Sequence, residues 1–395
     1  MIADTSKNYF ILTLIVVLTY IAYSLVTIDV SHIFWDLNVY DRAVSDYIQG
    51  VDPYRRDVSL LFIYHPYVLK AFIFLHGLFS IKIWLLGFYF VATTFFVREF
   101  LYFSTTTQKI SSIQKENISI LLVLASLCFG EAGLIAVKTG NITIFLHFFI
   151  IVAFLSANRK SSTYGVVLFA LLITLFSVIK PYFLAYVLLL PYLTRRYSIF
   201  YVVFLVCLFF FLIWFSGKYL MPELYFNFMS ALHYQTLGKG DLGYAVFGLF
   251  VQKIGTFSGI TFHSFIMLSY LLLIFVYSKA IGSDWRSSSF IPLMIIFIIF
   301  INPRMKVYDF PIAVLFSYLH LWLSGTSQLR ASKVIFASIV LSSVPKLFTL
   351  LQALHALEAN GILSNMRLFH IIGFMVIILG IISAAYEKWR SVKTL

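Results

Sequence analysis

The sequence predicts an all-α polytopic membrane protein that forms a single integral membrane domain over residues 1–395. Hydrophobic residues make up 61% of the chain and charged residues only 11%, whereas soluble domains carry roughly 25% charged residues. Apolar runs of about 15–22 residues recur from end to end, and runs of this length cross a bilayer. These observations exclude a disordered chain, a repeat solenoid and a secreted disulfide scaffold.

Twelve apolar runs predict about twelve transmembrane helices. They cover residues 9–29, 83–103, 118–136, 141–157, 164–179, 182–193, 198–216, 264–281, 289–302, 309–324, 333–351 and 367–386. A further run, 66–80, is short, begins with Pro66 and contains Lys70, so we expect an interfacial helix there. Run 182–193 would be only about 18 Å long as an α-helix, too short for a hydrocarbon core of about 30 Å.

The basic residues predict the orientation of the helices. The net charge is +13, and Lys and Arg accumulate in the cytoplasmic loops of membrane proteins. The loops placed in the cytoplasm contain Lys109 and Lys115, Arg159 and Lys160, Arg195 and Arg196, Arg286, and Arg330 and Lys333. Both termini are then cytoplasmic, and the two large outer loops are 30–82 and 217–263.

The first outer loop is rich in aspartate. Six of the sixteen carboxylates lie in it or at its edge: Asp29, Asp36, Asp41, Asp46, Asp52 and Asp57. Residues 36–49 predict an amphipathic helix, with Asp41 and Asp46 on its solvated face. The apolar positions of this helix are Leu37, Tyr40, Val44, Tyr47 and Ile48. Asp52 in the sequence Gly50-Val51-Asp52-Pro53 predicts a turn.

Asp36 and Lys180 are the first two candidate functional residues. Asp36 stands at the start of the predicted helix, where a carboxylate either caps the backbone or acts as a general base. Lys180 precedes Pro181 between two short apolar runs, which predicts a broken hairpin lining a water-filled pocket. A lysine at membrane depth is typical of a functional site and suits a phosphate or pyrophosphate. The alternative is a lysine that snorkels to the headgroups.

Two further segments contain candidate residues. Arg304 and Lys306 lie on the predicted outer side, against the charge rule, so either a lipid phosphate or a carboxylate such as Asp309 is expected to face them. His65 is either a phosphate donor or acid–base group, or an incidental residue of an interfacial aromatic belt. No metal-ligand spacing, phosphate-binding loop or dinucleotide fingerprint is present, so no metal or cofactor is expected.

Several motifs in order resemble glycosyltransferase family 87. The segment DLNVYDRAVSDYIQGVDPY, followed by YHPYVLKAF, is similar to the first outer loop of that family, and GNITIF, VIKPYF, TRRY and NPRMKVYDF resemble its later motifs. The resemblance covers most of residues 30–320. The chain departs from the family pattern at His65, at Asn141, which follows Gly140 directly, and at Lys306 and Tyr308.

The resemblance implies a GT-C fold related to polyprenol-phosphate-mannose-dependent α-1,2-mannosyltransferases. Such an enzyme is a hexosyltransferase that moves a sugar, mannose or another hexose or pentose, from a polyprenyl phosphate to a lipid or glycan acceptor, with inversion. Asp36 would be the catalytic base. The implied substrate-binding residues are Tyr40, Asp41, Tyr64, His65, Asn141, Lys180, Arg304, Lys306, Tyr308 and Asp309. The expected location is the inner membrane of a bacterial cell envelope, with the site facing the periplasm and no nucleic-acid partner.

Two other functions are compatible with the same features. Broken helices and a basic cavity also suit a flippase or transporter of lipid-linked saccharides, although the sequence has no internal repeat of the kind that transporters often show. A polymerase or ligase of surface polysaccharide shares the lipid-phosphate chemistry. Turnover of a polyprenyl-phosphate sugar distinguishes a transferase from a flippase, which moves the intact lipid-linked sugar.

Overall fold

The fold is that of a computed structural model, which describes residues 35–58, 60–106, 139–160, 162–193, 198–235, 256–280, 284–302 and 309–324, with Ile11, residues 13–15, Leu18 and Trp389. Within these residues the regular secondary structure is helical and includes no strand, which confirms the all-α prediction over this part of the chain. The chain divides into two compact units. One contains residues 27–99 and 137–241, and the other contains 1–26, 100–136 and 242–395.

The helices follow one another closely along the chain. They are α1 (Trp35–Ile48), α2 (Pro66–Leu78), α3 (Ile81–Thr106), α4 (Thr143–Lys160), α5 (Thr163–Ile179), α6 (Ser198–Leu220), α7 (Pro222–Tyr234), α8 (Thr256–Ala280), α9 (Ile291–Ile301) and α10 (Phe310–Ser324). A 3₁₀ helix, Pro181–Leu189, follows α5 and continues into the single turn Leu190–Leu193. A short 3₁₀ turn, Ser288–Phe290, precedes α9.

Four of the described helices are long and apolar enough to cross a membrane, and they contain the segments Ile83–Ser104, Thr143–Lys160, Ile199–Leu220 and Phe257–Lys279. They correspond to the predicted runs 83–103, 141–157, 198–216 and 264–281. The outward face of α6 is covered by large apolar side chains, including Phe200, Tyr201, Phe204, Phe209 and Leu212. Runs 118–136, 333–351 and 367–386 and nearly all of 9–29 lie outside the described residues, so the total of twelve stays a prediction.

The unit that contains α1 to α7 is organised around α5. This helix packs against α4, α6 and the 3₁₀ helix, while α7 packs against both α6 and α2, and α1 packs on α2. The rings of Phe96 and Phe148 stack with centroids 4.3 Å apart. An ion pair of 3.2 Å joins Arg159 in the last turn of α4 to the buried Glu99 of α3, and a cation at this position also interacts favourably with the helix dipole.

The unit that contains α8, α9 and α10 is built around α9. This helix is apolar on every face and is buried from Ile291 to Phe300, as expected for a central helix. His263 of α8 contacts the Ile301 carbonyl at 3.3 Å, and His320 of α10 contacts the Ser289 carbonyl at 3.2 Å. These side chains occupy backbone carbonyls at the two ends of α9, where the helix itself leaves polar groups unsatisfied.

The first outer loop contains the predicted amphipathic helix, α1, but two of its positions were predicted wrongly. Asp46 is buried rather than solvated, and its Oδ2 pairs with Arg55 Nε at 3.2 Å. Ile48 is 61% exposed rather than packed. The chain reverses at Gly50 (φ 73°), so the returning segment brings Arg55 to Asp46. Asp52 Oδ1 accepts the Tyr54 N–H at 3.0 Å, which confirms the predicted turn.

The second outer loop, 217–263, is shorter than the sequence predicts. α6 continues to Leu220, α7 occupies Pro222–Tyr234, and α8 already begins at Thr256. Pro222 stands in the first turn of α7, where a missing N–H costs no helical hydrogen bond. The expectation of a mobile lid is therefore wrong for residues 222–234, which form a packed helix, and residues 236–255 lie outside the described residues.

His65 connects α2 to α6 through a close contact. Its Nδ1 accepts the Tyr67 N–H at 3.3 Å, so Nε2 carries the proton of the neutral ring and donates to the Trp214 carbonyl at 3.1 Å. A Cβ placed on Gly217 would lie 2.8 Å from Cε1 of this ring. Glycine at position 217 therefore allows α6 to approach the start of α2.

We expect Gly217→Ala to destabilise the protein by about 1–3 kcal/mol, because the added methyl group overpacks an imidazole ring that is held by two hydrogen bonds. The measurement is thermal unfolding of the purified protein in lipid nanodiscs. Gly87→Ala in α3 is the matched control, since a Cβ there meets no atom within 4 Å. An unfolding temperature for Gly217→Ala equal to that of Gly87→Ala would contradict the contact.

Candidate functional site

Asp36 lies in the first turn of α1 and is held by a residue 105 positions further along the chain. Asn141 Nδ2 donates to Asp36 Oδ2 at 2.8 Å. The Asn141 side chain is itself fixed, because its Oδ1 accepts the Thr143 N–H at 2.9 Å at the start of α4. Gly140 precedes it with φ 63°, a conformation that glycine adopts without strain. The beginning of α4 therefore sets the orientation of the Asp36 carboxylate.

Tyr40 and Tyr64 form a buried pair beside Asp36. Their hydroxyl oxygens are 2.9 Å apart, and their rings meet edge to face with centroids at 5.4 Å. The Ile142 N–H donates to the Tyr40 hydroxyl at 3.4 Å, and the Tyr54 hydroxyl donates to the Tyr64 carbonyl at 2.9 Å. Burial raises the pKa of Tyr40 well above 10, and Tyr64 and Asp36 raise it further. Tyr40 is therefore a neutral hydrogen-bonding group.

Lys180 reaches the same pair of tyrosines from the helix break. α5 ends at Ile179, and Lys180 has an extended backbone with φ −144° and ψ 111°. This confirms the predicted interruption of the helix at Lys180-Pro181. The ammonium nitrogen lies 5.6 Å from the centroid of the Tyr64 ring, within the range of a cation–π interaction. The aspartate, asparagine and lysine motifs, far apart in sequence, thus meet in one unit of the fold.

His147 and Tyr186 extend the site and were not identified from the sequence. His147 Nδ1 and the Tyr186 hydroxyl are joined by a hydrogen bond of 2.7 Å, and both side chains are buried. His147 belongs to α4 and Tyr186 to the 3₁₀ helix that follows Lys180. The available signal was a lone histidine six residues after Asn141 in an apolar run, which is by itself a weak indication of function.

The other predicted site residues are placed differently. His65 is enclosed by Tyr67, Trp214, Tyr225 and Phe228, an arrangement closer to the aromatic-belt alternative than to a phosphate donor. Asp41 is a partly exposed residue of α1. Asp309 is buried at the start of α10, in the other unit. Arg304, Lys306 and Tyr308 lie outside the described residues.

The arrangement supplies two opposite charges on either side of a neutral aromatic pair. Asp36 and Lys180 are both partly exposed, whereas Asn141, Tyr40 and Tyr64 between them are buried. A carboxylate with this support accepts a proton, and an ammonium neutralises an anionic group. Among the described residues no three His, Cys, Asp or Glu side chains are grouped as metal ligands would be.

Comparison with known proteins identifies no relative. No protein-family model matches the chain, and no curated protein or solved structure matches it significantly. The functional interpretation therefore depends on the side chains of this site and on the motifs described above.

We expect Asn141→Asp to make the stability of the protein depend on pH. The new carboxylate would face Asp36 Oδ2 across the present 2.8 Å hydrogen bond, so the two would share a proton and their pKa would rise. The folded state then binds more protons than the unfolded state, and the free energy of unfolding falls as the pH rises.

Thermal unfolding between pH 4.5 and pH 8 measures this effect. Asn141→Ala is the control, because it removes the same hydrogen bond without adding a carboxylate. Parallel pH profiles for the two variants would show that the Asp36–Asn141 contact is absent in solution.

We also expect His65 to weaken the fold in acid. Burial lowers the pKa of His65 from its ordinary value of 6.5, so the unfolded state binds the proton more readily than the folded state does. The resulting stabilisation is present above about pH 6.5 and is lost as the pH falls through the lower folded-state pKa. His65→Asn should flatten the acid side of the unfolding profile, and the exposed His76→Asn should leave its slope unchanged. An equally steep acid limb in His65→Asn would refute this assignment.

Proposed function

We propose that the chain is a membrane glycosyltransferase of the GT-C type that uses a polyprenyl-phosphate sugar as its donor. The observation that supports it best is the meeting of Asp36, fixed by Asn141, with Lys180 across the Tyr40–Tyr64 pair. The same residues belong to the motifs that resemble glycosyltransferase family 87. An acid–base group beside a cation is the minimum that sugar transfer from a phosphate requires.

Asp36 is the general base in this proposal. The acceptor hydroxyl attacks the anomeric carbon of the sugar, a new carbon–oxygen bond forms, and the hydroxyl proton passes to the Asp36 carboxylate. The bond between the anomeric carbon and the phosphate oxygen breaks on the opposite face, so the configuration inverts. The bonding electrons leave with the polyprenyl phosphate. The hydrogen bond from Asn141 orients the carboxylate before the acceptor arrives.

Lys180 stabilises the leaving group. Negative charge accumulates on the phosphate as its bond to the sugar breaks, and a fixed ammonium close to that charge lowers the barrier more in a water-poor site than it would in bulk water. The cation–π contact with Tyr64 holds the ammonium without neutralising it. A carboxylate partner would cancel the charge, so an aromatic partner suits this role better.

Tyr40 and Tyr64 keep the two charges apart. Their hydrogen bond and edge-to-face contact fill the space between α1 and the segment before α2 with neutral groups. Asp36 therefore stays available for a proton, and Lys180 stays available for an anion. This division favours a transferase over a flippase, because a flippase moves its anionic lipid without needing a positioned base.

We expect Asp36→Asn to lower kcat at least about 100-fold, the usual contribution of a general base, with little change in donor binding. Lys180→Met should instead weaken the binding of the donor as well as slow the transfer. The assay follows release of polyprenyl phosphate by the purified protein, with a panel of polyprenyl-phosphate hexoses and pentoses and lipid or glycan acceptors.

Asp57→Asn is the matched control, because Asp57 lies in the same loop with its side chain 73% exposed. It should retain wild-type activity. Full activity of a correctly folded Asp36→Asn protein would contradict the assignment. Movement of intact lipid-linked sugar across the bilayer without release of polyprenyl phosphate would support the flippase instead.

A further inference from the structure

The segment after Lys180 has an unusual winding. Pro181–Leu189 is a 3₁₀ helix of nine residues, whereas 3₁₀ runs longer than three or four residues are uncommon. In this winding, residues three apart lie directly above one another. Phe183, Tyr186 and Leu189 follow that spacing, and all three are completely buried. In an α-helix the same three residues would spread over about 120° of the surface, so the buried stripe matches the 3₁₀ form.

His147 of α4 binds the middle of this stripe. Its Nδ1 lies 2.7 Å from the Tyr186 hydroxyl, and its ring centroid lies 4.6 Å from that of Phe183. The imidazole also stacks on Tyr182 at 5.9 Å. The hydrogen bond is the specific polar link between α4 and a segment that otherwise offers apolar surface. It therefore selects the winding in which Tyr186 faces α4.

We propose that His147 and Tyr186 are positioning residues that hold Pro181–Leu189 in its 3₁₀ winding and thereby place the Lys180 ammonium for a lipid-linked phosphate. This inference rests on the proposed function. Nine residues span about 18 Å in a 3₁₀ helix and about 13.5 Å in an α-helix. Rewinding would therefore move Lys180 by about 4–5 Å relative to Leu190, nearly the whole distance of 5.6 Å between the ammonium and the Tyr64 ring.

The first test measures binding of a polyprenyl phosphate that carries no sugar to the full-length protein in lipid nanodiscs. Tyr186→Phe keeps the buried ring and removes the hydroxyl, and we expect it to weaken binding about tenfold. Tyr201→Phe is the matched control, since it removes a hydroxyl from a lipid-facing position of α6 and should bind as the wild type does. His147→Phe should reproduce the loss, whereas His147→Asn, which retains a polar atom close to Nδ1, should restore part of the binding.

The second test asks whether the effect passes through Lys180. In a Lys180→Met background, Tyr186→Phe should cause no further loss of binding, because the displaced cation is already absent. A purely structural role would weaken both backgrounds by the same factor, and that result would overturn the inference. Unfolding temperatures of all variants confirm that they are folded.

The outcomes separate this inference from the function on which it rests. Binding that requires Lys180 but is unchanged in Tyr186→Phe overturns the positioning role and leaves the proposed function intact. A wild-type protein that does not bind polyprenyl phosphate, or a Lys180→Met protein that binds it equally well, overturns both.

Discussion

Lys180 cannot continue the helix that precedes it, because the ring of Pro181 disfavours the α conformation for the residue before it. The backbone at Lys180 is accordingly extended, and the Lys180 N–H makes the last hydrogen bond of α5, to Phe176. Pro181 then starts a helix of different pitch. The ammonium is thereby directed to Tyr64, and the buried stripe that follows is directed to His147. The position of the cation and the packing of the segment behind it have one cause.

Hydrogen bonds between distant parts of the chain hold the rest of the site. Asp36 bonds to Asn141, Tyr40 to Tyr64, and His147 to Tyr186. Polar groups in apolar surroundings are costly unless they are paired, so each bond constrains both partners. The outer loop is thus joined to the start of α4, and α4 is joined to the segment after the break. A site assembled in this way is preorganised for charge without a metal-ligand cluster in the described residues.

Local patterns predicted local structure well. The turn at Asp52, the helix over residues 36–49 and the break at Lys180-Pro181 all follow from a few neighbouring residues, since backbone preferences act over short distances. The burial of Asp46 depends on Arg55 returning after the turn, and the 3₁₀ winding depends on contacts with α4. α7 was missed because its alternation of apolar and polar residues is short and lies between glycine-rich and charged segments. Asn141 and Lys180 were both candidates, but their meeting with Asp36 is a tertiary property.

The central claim is that Asp36 and Lys180 act on the same substrate. The most direct measurement is a cryo-electron microscopy structure of the protein in nanodiscs with a polyprenyl phosphonate sugar that cannot be cleaved. The account predicts the phosphonate within about 4 Å of Lys180 Nζ, the distance of an ion pair, and the anomeric carbon on the side of Asp36. A phosphonate bound away from Lys180, or a sugar that Asp36 cannot reach, would contradict it.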